Sequence, residues 1–392
     1  MKRRLYSLDL LRGLDMFYLL VVHYGLLVGG VFKIWPLSSP AAKALLMHSP
    51  TAFVGEGPLS PSGFGLLDFA QPLFIFVTGV SAALAMTRFL GEGGGGRAAF
   101  WKRLLARTAL LWACGSLIRG ALTFRLFSGP AAQPSFCLFS DTLHTIAVAY
   151  FAASVSLLVR RVYLRALAAA ALLALPAAVL ALCGDYTRLG NAARLIEEAV
   201  YSRLGGGAKD FCYLLTTFTW AGMGVLSSFA GELVKSALSP GRKAAFLAAG
   251  GAASLGVGLV LSAWIPPIRY IYTLSFVFET LGLSALLFAG LYALYDLLAF
   301  RRGTWLLILF GQCSLAAWML VNFFGKALEA AGECLVAGVP NLLGADAARP
   351  LFVQVAKAAV LVWLIWQWRR LRGRRPSAAA AEQLSNGQGE RE

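Results

Sequence analysis

Ten long apolar stretches constrain the fold of this 392-residue chain more than any other feature of its sequence. A helix needs about 20 mostly apolar residues to cross roughly 30 Å of hydrocarbon, because each residue advances the helix by about 1.5 Å. The stretches that are long enough lie near residues 14–32, 66–90, 104–127, 141–160, 163–183, 211–231, 244–264, 272–296, 304–324 and 351–368. We therefore predict an all-α, polytopic transmembrane helical bundle of about ten spans over residues 1–372.

The chain carries too few charged residues to cover a water-exposed surface. Only 14% of its residues are charged and 58% are hydrophobic, whereas an average soluble domain carries roughly 25% charged residues. A soluble enzyme, a disordered protein and a small secreted disulfide-rich domain are therefore excluded as classes. The first apolar stretch is interpreted as a retained span rather than a cleaved signal, because it is long and contains Asp15.

The basic residues orient the predicted spans. Lys and Arg collect in loops on the cytoplasmic side of membrane proteins, and an even number of spans with both termini in the cytoplasm places 23 of the 35 basic residues there. This distribution explains the net charge of +16, so no nucleic-acid partner is predicted. The long predicted outer loops are 33–65, 184–210 and 325–350, and a disordered cytoplasmic tail is predicted at 373–392. We expect a protein of a bacterial inner membrane.

Three histidines are candidate proton-transfer groups, because imidazole has an unperturbed pKa of about 6.5. His48 lies in the first predicted outer loop, His23 in the middle or outer half of the first span, and His144 near the outer start of the fourth. For each of them the alternative is a hydrogen-bonded residue with no catalytic role. That alternative is preferred for His144 and stays open for the other two.

Two further charged residues are predicted near the outer face. Asp68 stands at the entrance of the second span, where it either holds a histidine in one tautomer or interacts with the helix dipole. Arg269 follows two prolines in a short turn and precedes Thr273 and Ser275. An arginine beside hydroxyl groups suits a phosphate or carboxylate ligand, but an interfacial arginine has the same pattern. Both alternatives stay open for each residue.

The sequence predicts no metal site. Its cysteines are scattered, without a Cys-x-x-Cys motif or a Cys/His spacing suited to zinc. Several cysteines are expected to face outward, which leaves a disulfide open without assigning its connectivity. The six residues are Cys114, Cys137, Cys183, Cys212, Cys313 and Cys334.

Five sequence blocks, in order, resemble the heparan-α-glucosaminide N-acetyltransferase-like family and its bacterial relatives. The opening RLYSLDLLRGLDMFYLLVVHYG contains the Ser-(Leu/Val)-Asp-x-x-Arg-Gly block that announces the first span in that family. The blocks DFAQPLFIFVTGVS and DTLHTIAVAYF resemble its second-span and fourth-span motifs. The blocks PPIRYIYTLSFVFETLGLS and FGQCSLAAWML resemble the motifs around its eighth and ninth spans. Together the blocks cover roughly residues 4–325.

The resemblance implies a membrane enzyme of ten or eleven spans that moves acetyl from cytosolic acetyl-CoA to a sugar across the membrane. It assigns the catalytic role to His48, the only histidine of the first outer loop, and matches Asp68 to the aspartate of the second span. His23 stands where the eukaryotic enzyme has an asparagine. This chain departs from the family pattern at Thr145, Arg269 and Cys313, and in the gap of 20 residues between His48 and Asp68.

The leading hypothesis is therefore a membrane acyltransferase with acetyl-CoA as donor and a sugar amine or hydroxyl as acceptor. His48 is predicted to be the general base or a transient acyl carrier, Asp68 to orient it, and His23 or Arg269 to polarise the thioester. The residues predicted to bind the donor are Asp9, Arg12, Arg103, Arg107, Arg269 and Ser275.

Two other classes of function stay open. One is a transporter or channel in which His23, Asp68, Glu279 and Lys357 line a polar route, although the sequence shows no internal repeat. The other is an inactive scaffold for cell-surface glycan assembly. Membrane lipid is an expected partner in every case, and base rates alone favour a two-fold homodimer.

Overall fold

The structure is a computed structural model that describes residues 5–34, 66–90, 96–119, 138–139, 141–201, 213–300, 302–343 and 346–373. Within those ranges every regular element is a helix, as the apolar stretches predict. The predicted tail beyond Gly373 lies outside the described residues. In chain order the helices are α1 (Tyr6–Ile34), α2 (Leu66–Leu90), α3 (Gly96–Arg119), α4 (Thr142–Ser156), α5 (Val162–Cys183), α6 (Ala192–Tyr201), α7 (Thr216–Lys235), α8 (Pro240–Leu261), α9 (Leu274–Leu297), α10 (Trp305–Gln312), α11 (Ser314–Val336), α12 (Val339–Leu342) and α13 (Arg349–Gly373).

Six of the described helices are long and apolar enough to cross a membrane, and α10 with α11 forms a seventh candidate if the bent pair is counted as one span. The six are α1, α2, α5, α8, α9 and the helix that ends the described chain, α13. The fold is thus an all-α bundle of an integral membrane protein. Three other predicted spans fall on α3, α4 and α7, which do not meet that criterion. Helix α4 has only 15 residues, the first twelve residues of α3 include four basic residues, and α7 contains five Ser and Thr residues.

The chain divides into two compact units, and each is described by itself. Unit 1 comprises Met1–Asp15 and Leu37–Arg302, and unit 2 comprises Met16–Pro36 and Gly303–Glu392. The long helix α1 therefore begins in unit 1 and continues in unit 2.

Glycines bring three helices of unit 1 into backbone contact. A Cβ added at Gly79 of α2 would lie 2.5 Å from the carbonyl oxygen of Gly224 in α7. A Cβ added at Gly224 would in turn lie 2.6 Å from the carbonyl oxygen of Ala149 in α4. Such close approach is available only to helices with small residues at their contact. Helix α7 is therefore held between α2 and α4, while its other side packs on α5, where Leu173 meets Gly222.

In unit 2 the second half of α1 packs on α13, and α13 packs on α11. The segment Tyr18–Val31 of α1 is a π-helix, and Gly30 in it approaches Leu351 so closely that a Cβ would lie 3.2 Å from the Cα of Leu351. The axis bends by 78° between α10 and α11, at Cys313, whose φ of −116° and ψ of 22° are not helical.

Candidate functional site

A buried ion pair joins Asp68, in the first turn of α2, to Arg269, in the turn before α9. The Nε atom of Arg269 lies 2.9 Å from Oδ1 of Asp68, and their side chains are only 9% and 2% exposed. The guanidinium also lies over the ring of Tyr270, with 4.1 Å between Cζ and the ring centroid. An isolated buried charge is strongly destabilising, so each of the two groups offsets the desolvation cost of the other.

The turn that carries Arg269 is fixed by one hydroxyl group. The Oγ1 hydroxyl of Thr273 donates to the carbonyl of Pro266 at 2.8 Å and accepts from the backbone N–H of Ile268 at 2.9 Å. Ser275 is fully buried, and its Oγ lies 3.3 Å from Oγ1 of Thr273. The backbone of Tyr272 has a φ of 49°, a conformation that is strained for an aromatic residue. The predicted neighbours Arg269 and Ser275 therefore belong to one tightly held turn.

A second polar contact lies one turn further along α2. Gln71 is buried, and its Nε2 donates to Oγ1 of Thr145 at the start of α4, at 3.3 Å. The hydroxyl of Thr145 donates to the carbonyl of Thr142 at 2.8 Å. Residues three apart share a helix face, so Asp68 and Gln71 face the same region.

Four helices of unit 1 begin at the end where this ion pair lies. The starts of α2 and α4 meet at Gln71 and Thr145, and those of α2 and α9 meet at the ion pair. The ring of Trp220 in α7 lies 5.9 Å from that of Tyr272 just before α9. We call this the polar end of unit 1. Helix N-termini carry partial positive charge, which favours a carboxylate such as that of Asp68.

His144, also at the polar end, is held as a neutral structural residue. Its Nδ1 accepts from the backbone N–H of Asp141 at 3.1 Å, and its Nε2 lies 3.0 Å from the carbonyl of Trp112 and 3.1 Å from Oγ of Ser116. The first contact requires a bare Nδ1, and the second a protonated Nε2. Both ring nitrogens are thus engaged, which agrees with the interpretation of His144 as a packing residue.

Four predicted donor-binding residues do not lie at the polar end. Nη2 of Arg12 lies 2.6 Å from Oγ of Ser81, and its Nη1 lies 3.9 Å from Oδ1 of Asp9. Ser81 follows Asp68 by 13 residues on α2, which corresponds to about 20 Å along the helix axis. The guanidinium carbons of Arg103 and Arg107 lie 5.8 and 4.5 Å from the ring centroids of Phe89 and Tyr150, respectively.

The structure describes two of the three predicted catalytic residues, Asp68 in unit 1 and His23 in unit 2. His48 lies outside the described residues. Asp68 has Arg269 as its described ion partner, so the proposed contact between Asp68 and His48 stays a prediction. His23 is 1% exposed and belongs to unit 2, where its ring lies 6.1 Å from that of Tyr18 and 5.0 Å from that of Tyr24.

Sequence reasoning did not single out Arg165 as a buried charged group, although it counted this residue among the basic residues of the cytoplasmic side. Arg165 lies on α5, and its side chain is 4% exposed. Its Nη1 contacts both carboxylate oxygens of Glu232 in α7, at 2.7 and 2.8 Å, and its Nη2 donates to Oγ of Ser228 at 2.9 Å. The contact with Glu232, whose side chain is 33% exposed, compensates the charge of the buried arginine. Glu232, a carboxylate within an otherwise apolar stretch, was the available signal.

No family model matches this chain, and no curated protein matches it. The family resemblance of its motifs therefore stays an expectation.

Proposed function

We propose that this protein is a membrane acyltransferase that moves an acetyl group from acetyl-CoA to a sugar amine or hydroxyl. The observation that carries the proposal is the buried ion pair of Asp68 and Arg269 at the polar end. These two residues lie far apart in the chain and belong to two separate blocks of the family resemblance. Asp68 also follows His48 by 20 residues and stands three residues after the predicted outer loop that contains it.

The chemistry assigned to the pair is oxyanion stabilisation and positioning. His48 takes the proton of the acceptor amine, whose nitrogen attacks the thioester carbon. The resulting oxyanion is stabilised by the guanidinium of Arg269. When the carbonyl reforms, the C–S bond breaks and the coenzyme A thiolate leaves with the proton that His48 holds. Asp68 keeps Arg269 in place and accepts from the imidazole, since a carboxylate accepts more than one hydrogen bond.

The donor is proposed to approach from the opposite end of unit 1. Arg12 supplies positive charge beside Ser81, about 20 Å along α2 from Asp68. The exposed Arg103 lies near Phe89, further along the same helix, and Arg107 lies over the ring of Tyr150 in α4. Guanidinium groups suit the phosphates of coenzyme A. The thioester end of the donor must then reach the polar end.

The proposed topology has ten spans, both termini in the cytoplasm and the polar end outward, in a bacterial inner membrane. It is supported by the charges at the other end of unit 1. Arg165, Lys235 and Lys243 all lie near the end of α7 that is remote from Trp220. We call this the basic end, and Lys and Arg favour the cytoplasmic side.

The test is acetyl transfer by the purified full-length protein with labelled acetyl-CoA and a panel of amino sugars. His48→Ala is expected to abolish transfer because the base is lost. Arg269→Gln is expected to lower the turnover number by about 10²–10³-fold, the usual effect of removing one oxyanion donor. Transfer by wild type that His48→Ala leaves intact would contradict the assignment of the base, and no transfer by wild type would contradict the enzyme.

Asp185→Asn is the matched control for Asp68→Asn. Asp185 is a partly buried carboxylate in the turn after α5, and the end of α5 packs with Tyr213 and Ile268 near the polar end. Only Asp68→Asn is expected to reduce transfer. Equal activity of the two variants would show that the Asp68 carboxylate has no part in the reaction.

A transporter is the second candidate, and the bent pair in unit 2 favours it. Interrupted membrane helices expose backbone groups that bind ions or substrates in many transporters. The break at Cys313 between α10 and α11, with its 78° bend, has that form. Uptake of labelled sugars or ions by proteoliposomes, with no acetyl transfer in the same preparation, would favour this candidate over the enzyme.

A further inference from the structure

A cavity of about 650 Å³ lies in unit 1 among α2, α7, α8 and α9. Its walls include Phe76, Phe246, Ser254, Phe278 and Ala285. On α8 the lining runs from Phe246 to Ser254, which corresponds to about 12 Å along the helix axis. None of the residues discussed at the polar end lines it. The volume falls in the usual range for small-molecule sites, about 300–1,000 Å³.

The walls of this cavity suit a hydrocarbon chain. The two hydroxyl groups that line it already donate to backbone carbonyls, Ser254 to Phe278 at 2.8 Å and Ser227 to Met223 at 2.6 Å. The remaining lining side chains are apolar or absent. An occupant therefore gains little from polar groups inside the cavity and gains from burying apolar surface.

The cavity opens on a face of unit 1 that is exposed within the described structure. Phe246 on its wall is 56% exposed, and Gly250 beside it is also exposed. Only 17% of the apolar window of α8 is buried, so this helix is expected to face lipid. A Cβ added at Gly250 would meet nothing within 4 Å. The glycine thus leaves space that a side chain would fill.

Positive charge lies at one end of the cavity, at the basic end of unit 1. The Nζ amine of Lys243 lies 2.8 Å from the carbonyl of Val234, next to Leu233 on the cavity wall. Arg242 is exposed and stands one turn before Phe246 on the same face of α8. The nearby carboxylate of Glu232 is held by Arg165 on the side of α5. An anionic group at this end is therefore favoured.

We propose that this cavity binds one acyl chain of an anionic membrane phospholipid, with the lipid phosphate at Arg242 and Lys243. The apolar walls suit the acyl chain of such a lipid, and the basic residues suit its phosphate. The proposal does not depend on the acyltransferase activity, because the cavity lies apart from the Asp68–Arg269 pair.

The experiment measures lipid retention by the purified full-length protein, using native mass spectrometry. The probes are dioleoyl phosphatidylglycerol and dioleoyl phosphatidylcholine, added at equal concentration in detergent. Wild type is expected to retain one phosphatidylglycerol in preference to phosphatidylcholine. Gly250→Leu is expected to reduce this retention at least tenfold, because its side chain occupies the space of the acyl chain. Equal retention by wild type and Gly250→Leu would overturn the proposal.

Two further variants separate this result from misfolding and from general adhesion of lipid. Gly256→Leu is the matched control, since Gly256 is exposed on α8, is equally open, and does not line the cavity. It is expected to retain phosphatidylglycerol as wild type does. Arg242→Gln is expected to lower the preference for phosphatidylglycerol about fivefold, the usual effect of one basic residue on an anionic lipid. An unchanged preference in Arg242→Gln would contradict the proposed headgroup position.

Discussion

Replacing only one residue of the Asp68–Arg269 pair should destabilise the protein more than replacing both. With charge centres about 4 Å apart and an effective dielectric constant of about 20, the attraction is about 4 kcal/mol. The side chains are 9% and 2% exposed, so water does little to replace the lost partner. Arg269→Gln and Asp68→Asn are each expected to lower the free energy of unfolding by about 3–5 kcal/mol. The double variant leaves no buried charge and is expected to lose less than either single variant.

The assay is unfolding of the full-length protein in mixed micelles, with denaturing detergent as the variable and tryptophan fluorescence as the readout. A double-mutant cycle then gives the coupling between the two residues. Additive losses, with the double variant least stable of all, would refute the buried pair. Acetyl transfer by a stable double variant would show that the pair is structural rather than catalytic.

Three other predictions concern the packing and the turns of unit 1. Gly224→Leu should destabilise the protein by about 3 kcal/mol or more, since its side chain must separate two backbones, whereas Gly256→Leu, measured by the same unfolding assay, should change stability little. Arg165→Gln should lower the free energy of unfolding by about 1–2 kcal/mol because Glu232 loses its charged hydrogen-bond donor but stays 33% exposed to water, and no measurable change in that assay would count against the contact. The backbone N–H and the hydroxyl of Thr187 donate hydrogen bonds to Asp185 and lower the pKa of its carboxyl group. The ionised carboxylate therefore stabilises the folded protein above pH about 4, and this contribution is lost as the pH falls through the lowered pKa. Melting temperatures across that range should therefore fall more steeply for wild type than for Asp185→Asn, and parallel curves would contradict this.

The carboxylate of Asp185 is held by the turn that follows α5, outside the membrane-spanning helices. Oδ1 of Asp185 accepts from the backbone N–H of Thr187 at 2.7 Å, and a Cβ at Gly190 would collide with the same carboxylate. The carboxylate is held close to the chain although it is only partly buried.

Several residues of the candidate site were predictable because their surroundings in the sequence are unusual. Asp68 interrupts an apolar run, and Arg269 follows two prolines and precedes two hydroxyl residues. Charged groups in such positions need a partner, whatever the fold. The sequence did not say that each is the partner of the other, because a short apolar stretch carries no information on which helix lies beside it.

Other contacts were beyond sequence reasoning for the same reason. Gln71 contacts Thr145, and Arg165 contacts Glu232, only because glycines at particular positions along α2 and α7 set how these helices pack on each other and on α4 and α5. The predicted grouping of Arg12 with Arg269 as donor ligands failed to anticipate that Arg12 contacts Ser81, about 20 Å further along α2.

By itself the sequence determined that this chain is helical and membrane-embedded, since long apolar runs have no other stable state in water or lipid. The sequence also showed the basic residues and indicated that Asp68 and Arg269 are unusual charged positions. Only the tertiary structure decided which charges pair, that His144 is held by backbone groups, and that α8 leaves a lined cavity. Those outcomes depend on the distances between helices. The sizes of the side chains at each helix crossing set these distances, and hydropathy alone does not encode them.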